Sequence, residues 1–296
     1  MDLIQLKYFQ AVAKYEHMTQ AANELHIAQP SLSKVISRLE EDLGVSLFDR
    51  IGRHIKLNQF GKVFLHRVEK MFIELEEGKM EISDILENEN KKITFAANNL
   101  YSFSKLLGNY IKLYPNISLH QIVGSTSKIQ QQIQNGGIDF CISSPPIIGN
   151  NIECIPLIAE EIFLFVPRQH KFAKRSSINL IEAADEHFIS LPEGFGLRYF
   201  TEKLCHQSGF TPNIIFESDI TTSLVELVSF NLGVALLPVS ERNSSIENFP
   251  IPIQITEPVC TRTIALSYVK GRYMPKATSH LIDYIVNYFK NVEHNK

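Results

Sequence analysis

The segment from Thr19 to Leu57 constrains this chain more than any other, because it places two short helical patterns, a tight turn and a basic hairpin in consecutive order. From Gln29 the apolar residues fall at Leu32, Val35, Ile36 and Leu39, a spacing that predicts a helix with one buried face. The opposite face carries Gln29, Ser31, Ser33, Lys34, Ser37 and Arg38, with no carboxylate before Glu40. Such a face offers donors and cations to base edges and phosphate oxygens, where an ordinary solvated helix would mix in acids. Thr19 is expected to cap a preceding helix through Ala21, Ala22 and Leu25, whose small residues allow close packing. His26, Ile27 and Ala28 make a short turn. Pro30 then sits in the first turn of the second helix, where its missing N–H costs nothing, and Gly44 ends that helix. This order leaves the second helix available to a major groove.

After Gly44, Ser46 to Phe48 and Ile55 to Leu57 read as brief strands around a turn. From Arg50 to Lys56 the charges are Arg50, Arg53 and Lys56, with no acid. A hairpin tip of that charge suits a phosphate backbone or a minor groove. Singly, an amphipathic helix or a basic surface turn is commonplace; the order of the parts is what points to DNA.

The run from Met18 to Arg50, through Ala21-Ala22, Gln29-Pro30-Ser31, Ser33-Lys34 and Leu47-Phe48-Asp49-Arg50, resembles the DNA-binding signature of LysR-type transcriptional regulators. The likeness extends over the whole chain. It implies an α/β protein with an N-terminal winged helix-turn-helix, a long linker helix that dimerises, and a two-lobed effector domain similar to periplasmic binding proteins. It also implies a homodimer or homotetramer on double-stranded DNA, a bent operator relaxed by ligand, and altered contact with RNA polymerase. Two positions depart from the pattern. Ala28 stands where many members carry a Ser cap, at a cost on the order of 1 kcal/mol, and Asn58-Gln-Phe-Gly61 replaces the commoner Thr-x-x-Gly.

With 296 residues, 44% of them hydrophobic, the chain has material for two or three packed domains. It has no run of 18 apolar residues, and Met1-Asp2-Leu3 opens helix-like without the features of an export signal, so a cytoplasmic protein with no membrane role is expected. Cys141, Cys154, Cys205 and Cys260 are widely separated, which predicts reduced thiols and no metal site. The net charge of −3 lends nucleic-acid binding no support, and residues 1–60 hold seven Lys or Arg against seven Asp or Glu. Binding depends on the charge of one face, however, and the segments Gln29 to Leu39 and Arg50 to Lys56 are free of acid.

The expected domains are a winged helix-turn-helix over 1–58, a dimerisation helix over 59–88, a hinge over 89–92 and an effector-binding domain over 93–296. Along the helix, Phe64, Val68, Met71, Leu75, Gly78, Ile82 and Ile85 recur at alternating intervals of four and three, a heptad seam for a partner helix. From Ile93 onward strands alternate with helices, which predicts parallel pairing. Lobe I is expected over 93–160 and 266–296, and lobe II over 161–265, with the helix Lys276 to Lys290 returning to lobe I.

Ligands of such lobes sit beyond strand ends, against helix N-termini. The positions that meet this condition are Asn98 and Asn99, Ser125 and Thr126 after Gly124, Ser143 with Ser144, and Gly194, Phe195, Gly196, Leu197 and Arg198. Arg198 is expected to grip a carboxylate. A small polar or anionic metabolite is therefore expected, with no cofactor. Enzymatic motifs are missing: Gly194-Phe-Gly196 lacks the third glycine of a dinucleotide loop, and no Walker loop, HExxH or GxSxG occurs, so no catalytic residue is assigned. The DNA contacts expected are Thr19, Gln29, Pro30, Ser31, Ser33, Lys34 and Arg38, with Arg50 and Arg53 on the wing. Two alternatives remain open at this level: a DNA-binding regulator that needs no effector, and a cytoplasmic solute-binding protein.

Overall fold

The computed structural model of the chain describes residues 1–51, 54–86, 91–97, 103–239 and 248–294, in two compact units, Met1–Ser83 and Asp84–Lys296. In the first unit α1 (Leu3–Tyr15) opens with a capping box between Asp2 and Gln5. It is followed by α2 (Met18–Glu24), α3 (Gln29–Leu43) and an antiparallel hairpin, β1 (Phe48–Ile51) with β2 (His54–Leu57), in which Phe48 faces Leu57. Leu32, Ile36 and Leu39 of α3 enter a core with Phe9, Val12, Ala21, Ala22 and Leu47. Burying each of the larger side chains contributes about 1.5 to 3 kcal/mol.

Local chemistry corrects two boundaries. Thr19 is not a cap: His17 holds that position, its Nδ1 accepting from the N–H of Gln20 at 3.3 Å, and Thr19 lies exposed within α2. The first wing strand starts at Phe48 instead of Ser46, because the Glu40 carboxylate takes the N–H groups of Leu47 at 2.7 Å and Phe48 at 3.4 Å. These bonds tie the base of the wing to α3, and the strand runs on to Ile51.

The two departures from the family pattern have different outcomes. Ala28 is the N-cap of α3 and supplies no side-chain bond. Asn58 keeps the capping function, since its Oδ1 accepts from the N–H of Gly61 at 2.9 Å while its Nδ2 donates to the Ser46 carbonyl at 2.9 Å. A side chain at Gly61 would overlap the Leu47 carbonyl, so the wing can close onto the helix start only over a glycine.

The long helix α4 (Gln59–Ile85) divides its seam. Phe64, Val68 and Met71 pack against the core of the first unit, so this half of the stripe meets the chain itself, with Val68 buried and Phe64 and Met71 partly so. Leu75, Ile82 and Ile85 remain exposed, at 44%, 60% and 74%.

The second unit runs β3 (Lys91–Ala97), α5 (Ser104–Leu113), β4 (Ile117–Ile122), α6 (Thr126–Gln134), β5 (Phe140–Ser143), β6 (Ile152–Val166) and β7 (Ser177–Asn179). After a short 3-10 turn at Leu180–Ala183 come β8 (His187–Ser190), α7 (Gly196–Gln207), β9 (Asn213–Glu217), α8 (Thr221–Ser229), β10 (Ala235–Pro238), β11 (Ile251–Glu257), β12 (Thr261–Val269) and α9 (Lys276–His294). The main sheet has the order β4-β3-β5-β12-β6-β11-β7, with β10 also on β6, and β8 pairs with β9 apart from it.

Parallel pairing holds for β3 with β4 and β5, for β8 with β9 and for β7 with β11. The expectation of parallel pairing fails around β6 and β12, which are antiparallel to each other over nine residue pairs. These long strands belong to both lobes and strap them together, and a strap needs no helical crossover. The expected hinge is also shorter, because Lys91 and Lys92 pair with Ile117 and Ser118 inside the sheet; Glu89 and Asn90 lie outside the described residues. The final helix returns to lobe I, where Leu281, Ile285 and Phe289 share a core with Phe95, Tyr110 and Phe140.

At its end α4 enters this unit through Asp84, which is 5% exposed. Its carboxylate accepts from Lys91 Nζ at 2.8 Å, Tyr273 Oη at 2.9 Å and the N–H of Lys276 at 2.9 Å, and so caps α9. Burial works against the charged carboxyl, and these donors outweigh it and hold its pKa below 3.8. Burial pushes the thiols of Cys141 and Cys205 up to about 12 and that of Cys260 to about 11, which leaves them poor nucleophiles.

Candidate functional site

On α3 the buried stripe leaves Gln29, Pro30, Ser31, Lys34 and Arg38 exposed, with Ser33 and Ser37 half-buried beside them. Among the described residues, Lys34 and Arg38 make no hydrogen bond or ion pair within the chain, so their donors are available to an outside acceptor. Ser31 and Leu32 donate their N–H groups to the Ala28 carbonyl, which fixes the first turn without help from Gln29 or Ser31 side chains. On the wing, the Arg50 backbone pairs with Ile55, and Arg53 lies outside the described residues.

In the second unit the sequence positions converge, with exceptions. Asn98 and Asn99 lie outside the described residues. Ser125 caps α6, its Oγ accepting from the N–H of Lys128 at 3.3 Å. Thr126, at the first position of α6, donates its N–H across the cleft to the carbonyl of Gly194 at 2.8 Å. Gly194 has φ +86, and the N-terminus of α7 follows, with Phe195 as its cap residue. Gly196 lies so close to the Ser144 carbonyl that any side chain there would overlap it. Backbone from lobe II thus meets the starts of α6 and the end of β5 in lobe I.

Between these contacts is a cavity of about 50 Å³ lined by Thr126, Ser143, Gly196 and Leu197, together with Ser144, Arg262 and Thr221. Its apolar wall comes from Phe103, Ile142, Leu191 and Ile264. A wider open depression of about 640 Å³ adjoins it, lined by Thr126, Gly194, Phe195, Arg198, Tyr199, Glu193 and Glu202.

Arg198 does not fill the role expected of it. Its Nε donates to Glu202 at 2.6 Å, its Nη1 donates to Glu217 and to the Leu191 carbonyl at 3.3 Å, and the residue is 8% exposed. Burial disfavours the charge, but the Glu217 and Glu202 carboxylates more than offset that and raise its pKa. The spacing of Arg198 to Glu202 on one helix face predisposes this pairing, and the end of β9 supplies Glu217. The guanidinium is a tie within lobe II and not a free carboxylate clamp.

The cation that does line the cavity is Arg262, on β12 and absent from the sequence-derived set. Its Nε and Nη2 both donate to Glu160 Oε2, at 2.8 and 2.6 Å, across the β6–β12 pair. Ser144 lines the cavity beside Ser143, as expected of the residues that follow β5. The Ser143-Ser144 pair was visible as a strand end, whereas nothing local marks Arg262, which reaches the cavity only because β12 crosses between lobes.

One surface suited to DNA and a second suited to a small molecule, on separate units of a single chain, define a transcriptional regulator with its own sensing domain. Residues 3–62 match the family described as bacterial regulatory helix-turn-helix protein, lysR family, and residues 89–290 match the LysR substrate binding domain. The chain belongs to the LysR family of transcriptional regulators. It is 36% identical to an uncharacterized HTH-type transcriptional regulator, YybE, of Bacillus subtilis strain 168 over 98% of this chain and 99% of that one. It is 32% identical to the transcriptional dual regulator GltC of the same organism over 99% of each. In fold it is similar to full-length CbnR solved with its target DNA, with a TM-score of 0.67 at 21% identity over 98% of this chain and all of that one. Full-length OxyR from Pseudomonas aeruginosa gives a TM-score of 0.68 at 23% identity, covering 96% and 94%.

Proposed function

We propose that this regulator binds an inverted-repeat operator as a homodimer or homotetramer in the cytoplasm, and that a small polar or anionic metabolite in the interlobe cleft sets its output. The observation that carries the DNA part is the exposed, acid-free face of α3, on which Lys34 and Arg38 have no partner among the described residues. Gln29 and Arg38 read base edges, Lys34 contacts phosphate or guanine, and Thr19, Pro30, Ser31 and Ser33 line the approach, while Arg50 and Arg53 hold the wing to the backbone.

The helix over 59–88 serves dimerisation through its second half, where Leu75, Ile82 and Ile85 are exposed. Residues 1–58 and 93–296 on either side are the DNA-binding and effector-binding domains. A two-fold dimer then requires half-sites about one helical turn apart, or a multiple of it. Ligand control follows if the effector binds one arrangement of the lobes better than another, because only differential affinity shifts an equilibrium. Altered contact with RNA polymerase is the output in this scheme.

The test is a gel shift of the full-length chain on DNA from its own upstream intergenic region, with excess nonspecific competitor. A sequence-dependent shift that Arg38→Ala abolishes supports the reading; absence of a shift on that fragment and across a genomic library overturns it.

A further inference from the structure

We propose that Glu16 and Glu40 are positioning residues for DNA binding: their carboxylates clamp the two strands of the basic wing at its base and so set the distance between the wing tip and the exposed face of α3. The proposal rests on the reading of α3 and the wing as the DNA-binding surface, and names what holds its two parts in register.

Little else orients the wing. Among the described residues β1 and β2 pair only with each other, and an isolated pair of strands is marginally stable in water. Leu47 and Phe48 enter the core beneath it, and Ile55 and Leu57 pack partly against that core. Apolar burial is non-directional, however, and fixes a tilt only loosely. Above this floor the wing does not close onto α3. A cleft of about 290 Å³ lies between them, lined by Ser33, Ser37 and Glu40 on one side and by Ser46, Phe48 and Ile55 on the other.

The directional bonds come from the two carboxylates. Glu40 Oε1 accepts from the N–H groups of Leu47 at 2.7 Å and Phe48 at 3.4 Å, where β1 begins. Glu16 Oε1 accepts from the N–H of Leu57 at 2.9 Å, where β2 ends. Phe48 and Leu57 face each other in the hairpin, so both acids act on the same rung. Glu40 belongs to α3 itself, and Glu16 is the left-handed residue, φ 44, that ends α1. Bonds to an ionised acceptor are the strong ones, which suits a clamp.

The lever is long enough to matter. A strand rises about 3.3 Å per residue, so the far end of β1 stands about 10 Å from the clamped rung, and a tilt of about 20° moves it by about 3 to 4 Å. That exceeds what a hydrogen bond to a phosphate tolerates. Without the clamp, α3 and the wing lose their common register on the duplex.

The sign of the effect separates a clamp from a mere charge. A carboxylate beside DNA repels phosphate, so removing Glu40 for its charge alone would strengthen binding. Removing a clamp weakens it.

The test is fluorescence anisotropy of the full-length protein on its operator across a salt series. Glu40→Ala should weaken binding about tenfold and lower the salt slope by about two, as Arg50→Ala/Arg53→Ala does. Glu40→Gln, whose amide oxygen still accepts both N–H groups, should restore most of the affinity. Added to the Arg50→Ala/Arg53→Ala variant, Glu40→Ala should cost nothing further, because residues that act through one another are not additive. Methylation interference at guanines under α3 should be unaltered in Glu40→Ala, which general loosening of the domain would not allow. Glu16→Ala should repeat the pattern, and it carries the comparison if Glu40→Ala fails to fold.

Tighter or unchanged binding by both alanine variants, equal losses in Glu40→Ala and Glu40→Gln, or a further loss on top of Arg50→Ala/Arg53→Ala overturns the proposal. If the parent protein shows no sequence-dependent binding, the DNA-binding reading itself falls. If the parent binds and Arg50→Ala/Arg53→Ala loses slope while Glu40→Ala and Glu16→Ala keep it, the reading stands and this inference falls.

Discussion

The main-chain N–H of Thr126 donates to the carbonyl of Gly194 at 2.8 Å, a single backbone bond that joins the two lobes at the mouth of the cavity. A helix N-terminus is a ready anion site, and here a carbonyl from the opposite lobe already occupies its first donor. Lobe closure and ligand entry are therefore linked: whatever seats at the start of α6 must either displace Gly194 or bind within the space it closes.

That relationship makes Gly194 sensitive. Its φ of +86 is strained for any other residue, and a Cβ would lie 3.2 Å from that of Ser125. Gly194→Ala should destabilise by about 1 to 3 kcal/mol, seen as a Tm lowered by several degrees. Gly108→Ala, on the exposed face of α5 with open space around it, should instead stabilise by about 0.5 to 1 kcal/mol. Equal thermal melts for the two variants would count against the strained latch.

Arg38→Ala should cost about 1 to 3 kcal/mol of operator affinity, and Lys34→Ala should lower the salt dependence of binding by about one unit of slope. Neither should move the Tm, since both side chains lack a partner among the described residues. Leu32→Ala, which empties a fully buried site on the same helix, should cost about 2 to 5 kcal/mol of stability. Fluorescence anisotropy across a salt series, paired with calorimetry, distinguishes the two kinds of loss; unchanged affinity in Arg38→Ala would remove it from the reading face.

Asp84 has a pH signature. Its folded-state pKa lies below the ordinary 3.8, so it contributes stability that is fully present above about pH 4 and is lost as pH falls through the folded value. Asp84→Asn should lower stability by about 1 to 2 kcal/mol at neutral pH. The gap to the parent protein should narrow on acidification below 3.8. A gap that is constant or widens in acid would show that the carboxylate charge is not what matters.

A paired change, Leu75→Glu with Ile82→Glu, addresses assembly. Both positions are exposed on α4, so folding of the chain should survive while self-association weakens by tenfold or more, equivalent to about 1.4 kcal/mol. Sedimentation velocity over a concentration series reads the result. Unaltered association would assign the interface to another surface.

The DNA-reading unit was legible in the sequence to within a residue or two because its signals are local. The α3 stripe of Leu32, Ile36 and Leu39, the Pro30 start and the Gly44 stop all act over a single turn of chain, and Gly44 indeed ends the helix at φ +70. The misplaced Thr19 cap and the late wing strand turned on two side chains, His17 accepting from the N–H of Gln20 and the Glu40 carboxylate accepting from those of Leu47 and Phe48. Alternating strands and helices likewise announced a two-lobed α/β domain, and α9 returned to lobe I as its position implied.

What only the tertiary structure decided was which side chains share a space. Arg198 and Arg262 are both arginines near predicted strand or helix ends, and apart from Glu202 one helical turn from Arg198 nothing in their neighbours distinguishes them. Glu217 and Glu202 close around the first, whereas the crossing of β12 brings the second, 262 residues from the start, beside Ser143 and Ser144. The half of the α4 seam that turns inward, expected with the rest to meet a partner helix, departs from that expectation for the same reason. Helical period sets which residues lie on one face, a property of adjacent bonds, but the partner of that face depends on long-range packing that no local pattern encodes.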